Sequence, residues 1–339
     1  MKRNGRLLAC AAVASILTLI TAACSGTTGS GGSLHRVQVM MFPGVAYRLP
    51  VVIAQQQGYF QQAGIDLQIV AQPNNLQGMQ AISATKSDIG MISATTLGQG
   101  FQAGTQAKLF CGGINVVQTS LVAKKGSGLP STARGATWQD VLKSLSGKKI
   151  GIQTPVGSGL QLLFAAALKD AGATNVTYVN VGGSNSVTQA SLDNGSVDVA
   201  QSSPTGTQAL TNGGSIEALA YLPQGPSEYK DLYGSGWVAS DTWLDQNPAL
   251  AKGFCDATAK GLAFIKDPAN KAATAAALQK DTGVDQAIAN EALPTYGDYT
   301  TAIDNARMTE TFQRYVELGV LKPQPVPDVA ALVDDGIHQ

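Results

Sequence analysis

One supersecondary unit is written twice in this 339-residue chain. Residues 61–96, QQAGIDLQIVAQPNNLQGMQAISATKSDIGMISATT, and residues 169–205, KDAGATNVTYVNVGGSNSVTQASLDNGSVDVAQSSPT, follow the same path. Each reads Ala-Gly at a helix end, an alternating strand, a polar loop, a helix through Gln-Ala, and an Asp before a short apolar strand. The offset drifts only from 108 at Gly64 and Gly172 to 110 at Asp88 and Asp198. A further strand and helix precede each copy. RVQVMM (residues 36–41) leads through FPGVAYR to a helix beginning near Pro50, a residue tolerated in the first helical turn. KKIGIQT (148–154) leads through PVGSG to LQLLFAAALKDAG. Strands that alternate with helices predict an α/β fold, each half a mostly parallel sheet with flanking helices.

Two such units predict two lobes, and composition permits them: 44% of residues are hydrophobic, 14% charged, and 38 are glycine, enough to bury a large core. The chain passes between the halves near residues 119 and 235, which predicts a hinge of two crossover segments. Lobe 1 is expected to comprise residues 35–119 and 236–339, and lobe 2 residues 120–235. Thr137 heads TWQDVLKSLSG with Asp140 three residues on and Gly147 at the end, a capped helix. Asn247-Pro248 and Asp267-Pro268 start helices in the C-terminal third. Lys plus Arg equals Asp plus Glu at 23 each, so no basic footprint for nucleic acid exists.

Ligands in open α/β sheets bind beyond the carboxyl ends of strands, where helix N-termini offer free N–H groups. The strand-end loops are FPGVAYR, QPNN, SATT, TPVGSG and SSPT, and a hinge would turn them toward one cleft. They hold no Asp, Glu, Cys or His, whereas catalysis usually needs a base, a nucleophile or a metal. His35 and His338 stand at the two ends of the mature chain, so no metal site, no cofactor and no enzyme activity are expected. Binding suits what is present. Asn74, Asn75, Ser93, Thr95, Thr96, Thr154, Ser158, Ser203 and Thr205 offer hydrogen bonds, and Gly157 lets backbone approach a ligand. Several of these residues also suit helix caps. Arg48, the one charged side chain in the loops, suits an anionic group or a plain exposed position. Phe42, Tyr47 and Trp237 suit apolar walls or the core. Gly98, Gly100 and Ala103 match G-x-G-x-x-A, but no acid follows about 20 residues on to hold a ribose, and GSG at Gly157 lacks the Lys of a phosphate loop.

The first residues read as an export leader. Lys2, Arg3 and Arg6 precede an apolar run over residues 7–20 that ends in small residues, too short for the about 20 residues of a membrane span. Residues 1–23 form this signal peptide. TAAC resembles the bacterial lipobox, with Thr21 where Leu is usual, which implies lipidation of Cys24. The Gly/Ser/Thr-rich stretch within residues 24–34 then acts as a flexible tether. Loss of Cys10 with the leader and lipidation of Cys24 leave Cys111 and Cys255, either bridged in an oxidising compartment or separate buried thiols.

The phrase IAQQQGYFQQAGIDLQIV (53–70) resembles the GYF-x-x-AGL phrase of the periplasmic substrate-binding proteins of ABC importers for nitrate, taurine, other alkanesulfonates and thiamine precursors. SLSGKKIGIQTPVGSGLQLLFAAALKDAG, GSVDVAQSSPT, TWLDQNPALAKGFCDATAKGLAFIKDPA and YVELGVLKPQ fall in the order of that family's later motifs. Many relatives carry Gly-Gly where this chain has AQPNNLQG. The resemblance implies a two-lobed, type II periplasmic-binding-protein fold. It implies an extracytoplasmic monomer, lipid-anchored at the membrane, that captures a small polar or anionic molecule by hinge closure and delivers it to a permease with its ATPase. A sensor that binds partners without transport shares these features. One branch of the superfamily makes a thiamine pyrimidine and consumes an active-site histidine, which the body of this chain lacks.

Overall fold

The computed structural model describes residues 33–182, 185–292, 298–334 and 336. The leader, Cys24, the tether up to residue 32 and His338 lie outside the described residues. Ten strands run in chain order: β1 (His35–Met41), β2 (Ile65–Ala71), β3 (Ile89–Ser93), β4 (Ala107–Ile114), β5 (Ser120–Lys124), β6 (Lys149–Ile152), β7 (Thr177–Asn180), β8 (Val199–Ser202), β9 (Ile216–Tyr221) and β10 (Ser235–Ser240). They form two five-stranded sheets of one plan, β2-β1-β3-β10-β4 and β7-β6-β8-β5-β9. In each, three strands pair in parallel, and one antiparallel strand, β10 or β5, separates them from the last. That antiparallel strand is the first to follow a crossing of the chain between the sheets. The expected two-lobed α/β architecture, with sheets mostly parallel, is therefore what the chain adopts.

The duplicated aspartate explains why the repeat is written as it is. Asp88 Oδ2 accepts from the Gln38 backbone N–H at 2.8 Å, and Asp198 Oδ2 accepts from the Lys149 backbone N–H at 2.8 Å. In both lobes the backbone returns the contact, Asp88 N to Gln38 O and Asp198 N to Lys149 O. Each carboxylate thus fastens the entry of a third strand to the first, a charge-assisted bond that fixes register where pairing begins. Gly64 and Gly172 close the preceding helical turns with φ of 75° and 78°, the left-handed conformation that glycine enters without steric cost.

Both faces of the first sheet are covered, so its central strand carries no polar side chain from Ile89 to Ile92, as strands buried on two sides require. Ile89 and Met91 of β3 pack with Val37, Val39, Phe60 and Phe254, while Ile92 packs with Met79, Ile82 and Leu97. The latter cluster continues through Tyr233 and Tyr315 to Leu163, Phe164 and Leu219 around the second sheet. Cys111 in β4 and Cys255 in the helix Pro248–Lys266 are joined by a disulfide, Cα to Cα 5.8 Å, that ties this helix to the sheet it covers. At the crossings the two chain segments run side by side: Gly234 N donates to Ile114 O at 3.1 Å and Val117 N to Leu232 O at 2.9 Å. The helix Asn305–Glu317 docks there, its Thr311 Oγ1 accepting from Tyr233 N at 2.8 Å.

Candidate ligand-binding cleft

Four strands end in helices whose first turns meet between the lobes. After β2, Asn74 caps the helix Asn75–Ser83, its side chain accepting from Gln77 N at 2.9 Å. After β3, Ser93 caps the helix Ala94–Gln102 through Thr96 N at 3.3 Å and shares hydrogen bonds with the hydroxyls of Thr95 and Thr96, each at 3.0 Å. After β8, Ser203 caps the helix Pro204–Asn212 through Gly206 N at 3.2 Å. The helix Gly159–Asp170, after β6, has no side-chain cap: Ser158 instead donates to Thr154 Oγ1 at 2.7 Å, and Gln161 Oε1 accepts from Gly157 N at 2.8 Å. Capping satisfies helix-end N–H groups and orients the hydroxyls at the same time.

Between the lobes lies an inner chamber of about 260 Å³. Phe42, Tyr47, Asn74, Asn75, Ser93, Thr95 and Thr96 line it from one side, and Thr154, Gly157 and Ser158 from the other. An outer chamber of about 900 Å³ adjoins it, with Phe42, Tyr47, Asn75, Gln118, Thr154 and Leu160 lining both. The rings of Phe42 and Tyr47 meet edge-on at 6.4 Å where the two adjoin. Ser203 lines only the outer chamber. The helix that begins at Pro204 includes Thr205, whose side chain lies outside what is described.

Two expected site residues stand elsewhere. Arg48 lines neither chamber. Its Nε lies 3.1 Å from Asp281 Oδ2, both side chains 13% exposed, and its Nη1 donates to Phe42 O at 3.4 Å. Burial pushes the Asp281 carboxyl above its usual pKa, and the Arg48 charge opposes that shift without cancelling it. Trp237 is 0% exposed in the core of the first lobe, with Nε1 donating to Tyr299 Oη at 3.1 Å, so it forms no cleft wall. Tyr47 stays on the wall, and burial raises its pKa far more than the neighbouring Arg48 lowers it, which keeps the hydroxyl protonated.

Several lining residues carry no local signal in the sequence. Met91, Ile114, Leu160, Leu163 and Tyr315 give the inner chamber an apolar floor, and Gln99 and Gln118 add amides. Leu76 and Val156 stand on opposite lobes at its edge, 55% and 63% exposed. Helical spacing marks Leu160, Leu163 and Tyr315 as apolar-face residues, and only the tertiary fold shows that part of that face looks into the cleft.

The first turns of the two helices that flank the inner chamber touch. A Cβ added to Gly159 would lie 2.0 Å from Thr95 Cβ and 2.1 Å from its Oγ1. The lobes are thus drawn together over the chamber, and the absence of a side chain at Gly159 is what allows the approach.

Residues 46–272 match the family model described as NMT1/THI5 like. Among solved structures, the chain is similar to the nitrate-binding protein NrtA from Synechocystis PCC 6803, at 14% identity over 90% of this chain and 87% of that one, TM-score 0.71. It is similar to the alkanesulfonate-binding protein SsuA from Xanthomonas axonopodis pv. citri bound to MOPS, at 18% identity over 90% and 99%, TM-score 0.68. It is also similar to the aliphatic sulphonate binding protein SsuA from Escherichia coli, at 16% identity over 90% and 92%, TM-score 0.65. These structures share the fold, and no curated protein sequence matches the chain. With two thirds of its length matched, from the turn before the first long helix to the C-terminal helices, this chain belongs to the NMT1/THI5-like family.

Proposed function

We propose that the chain is the solute-binding component of an ABC-type importer, held outside the membrane by a lipid on Cys24, that closes its lobes around a small molecule and presents it to a permease and ATPase. The observation that carries this reading is the pair of adjoining chambers walled by both lobes. Binding across two lobes couples ligand to closure, since contacts made by both favour the closed state. Hydroxyls, amides and apolar groups make up the inner wall, a set suited to reversible capture rather than bond breaking. The printed functions of the similar structures, nitrate and alkanesulfonate binding, agree with a solute receptor. Monomeric action fits, because one chain supplies both walls.

The test is native mass spectrometry of freshly purified protein to find a bound small molecule, followed by X-ray scattering of stripped protein with that molecule returned. The expected result is a co-purified solute and a smaller radius of gyration on its return. A protein that carries no solute and does not compact with the small-molecule pool of its source refutes the reading.

A further inference from the structure

We infer that the solute held in this cleft carries no net charge and is bound without an ion pair, an inference that rests on the cleft being a solute site. An anion withdrawn from water needs a positive partner or a full set of donors, and a bare charge in a low-dielectric cleft is far more costly than a neutral polar group. Among the described residues, none that lines the inner chamber is charged, and Asp285 is the one charged residue on the outer wall. The internal residues outside the described set, 183–184, 293–297 and 335, include no Lys or Arg in the sequence. Arg48, the nearest cation in the cleft loops, already faces Asp281 at 3.1 Å.

Helix ends are the remaining source of positive potential, each worth about half a unit charge. Of the four that converge here, those headed by Asn74, Ser93 and Ser203 already spend an N–H on their own caps. Acid lies nearby instead: the exposed Asp298 carboxylate accepts from Gln118 Nε2 at 3.2 Å, and Gln118 lines both chambers. Gln72 and Gln201, 0% and 3% exposed, stand behind the outer wall in the two lobes, and as neutral amides they add no charge to it. Met91, Leu160 and Leu163 suit an apolar body on the same molecule. The structure thus assigns the cleft to an uncharged organic solute with hydrogen-bonding groups at its edge.

The test passes the small-molecule pool of the source organism's medium and cells over anion- and cation-exchange resins in series. Stripped full-length protein is then heated with the unretained neutral fraction and with each eluate. The neutral fraction is expected to raise the melting temperature more than either eluate does, and added salt should leave that rise unchanged, because no charge pair exists to screen. A rise from either eluate equal to or larger than that from the neutral fraction overturns the inference while solute binding stands. No rise from any fraction overturns solute binding, and this inference with it.

Discussion

The contact between Gly159 and Thr95 predicts that Gly159→Ala impairs ligand binding while the lobes themselves stay intact. Carbon atoms pack at about 3.5–4.0 Å, and the added Cβ would lie 2.0 Å from Thr95 Cβ. The two helix ends must therefore part by about 1.5–2 Å at this point, on the closing surface of the inner chamber. Overpacking of this kind costs about 1–3 kcal/mol, and that cost falls on the closed state alone. Affinity for the co-purified solute, measured by calorimetric titration, should fall about 5- to 150-fold. The melting temperature of stripped protein should stay near that of the wild type, since neither sheet loses a contact. Thr95→Gly in the same chain should restore part of the affinity, whereas Thr95→Ala should not, because the nearest clashing atom is Thr95 Cβ itself. Undiminished affinity in Gly159→Ala would refute the closing contact. A parallel fall in the stability of stripped protein would show instead that the contact belongs to the folded core.

The duplicated carboxylates and the disulfide yield two further tests. Asp88→Ala, which removes a charged acceptor from the Gln38 N–H at 2.8 Å, should cost about 1.5–3 kcal/mol in urea denaturation, and Asp198→Ala less, because Asp198 is exposed and Asp88 partly buried. Equal costs would show that solvent access does not grade these bonds. Replacing Cys111 and Cys255 by Ala should cost about 2–5 kcal/mol, since the bridge closes a span of 144 residues. Solute affinity should not change, because both cysteines serve one sheet and its covering helix, and a loss of affinity would show that the bridge constrains the hinge.

What the sequence made legible was local. The Ala-Gly helix ends, the Asp before each third strand and the strand-end hydroxyls depend on neighbours within a few residues or on a short return to the first strand. Asn74, Ser93 and Thr154 accordingly stand on the cleft wall. Residues whose role depends on distant partners were opaque. Arg48 faces Asp281, which only the packing of the helices Leu49–Gln56 and Lys271–Thr282 brings alongside it. Trp237 follows a crossing, a place that suits a cleft wall, but its strand is inserted between β3 and β4 and its ring enters the core. Tyr315 reaches the inner chamber from a helix more than 200 residues beyond the first cleft loop, and no local pattern marks that. The hydroxyls had two readings, cap or ligand wall, and Ser93 shows the two as one: its oxygen holds Thr96 N while its side chain borders the chamber.

The insertion of β10 between β3 and β4 has a consequence for the order in which the protein can be made. Strands β5 to β9 are contiguous in the chain, so the second sheet can assemble once residue 221 is available. The first sheet cannot. Its first four strands are complete at residue 114, yet β4 has no partner in that sheet until residues 235–240 arrive to lie between it and β3. Until then the facing edges of β3 and β4 are unpaired, a state prone to wrong partners. A chain that becomes available N-terminus first therefore completes its second sheet before its first, and the cleft between the lobes forms only after both.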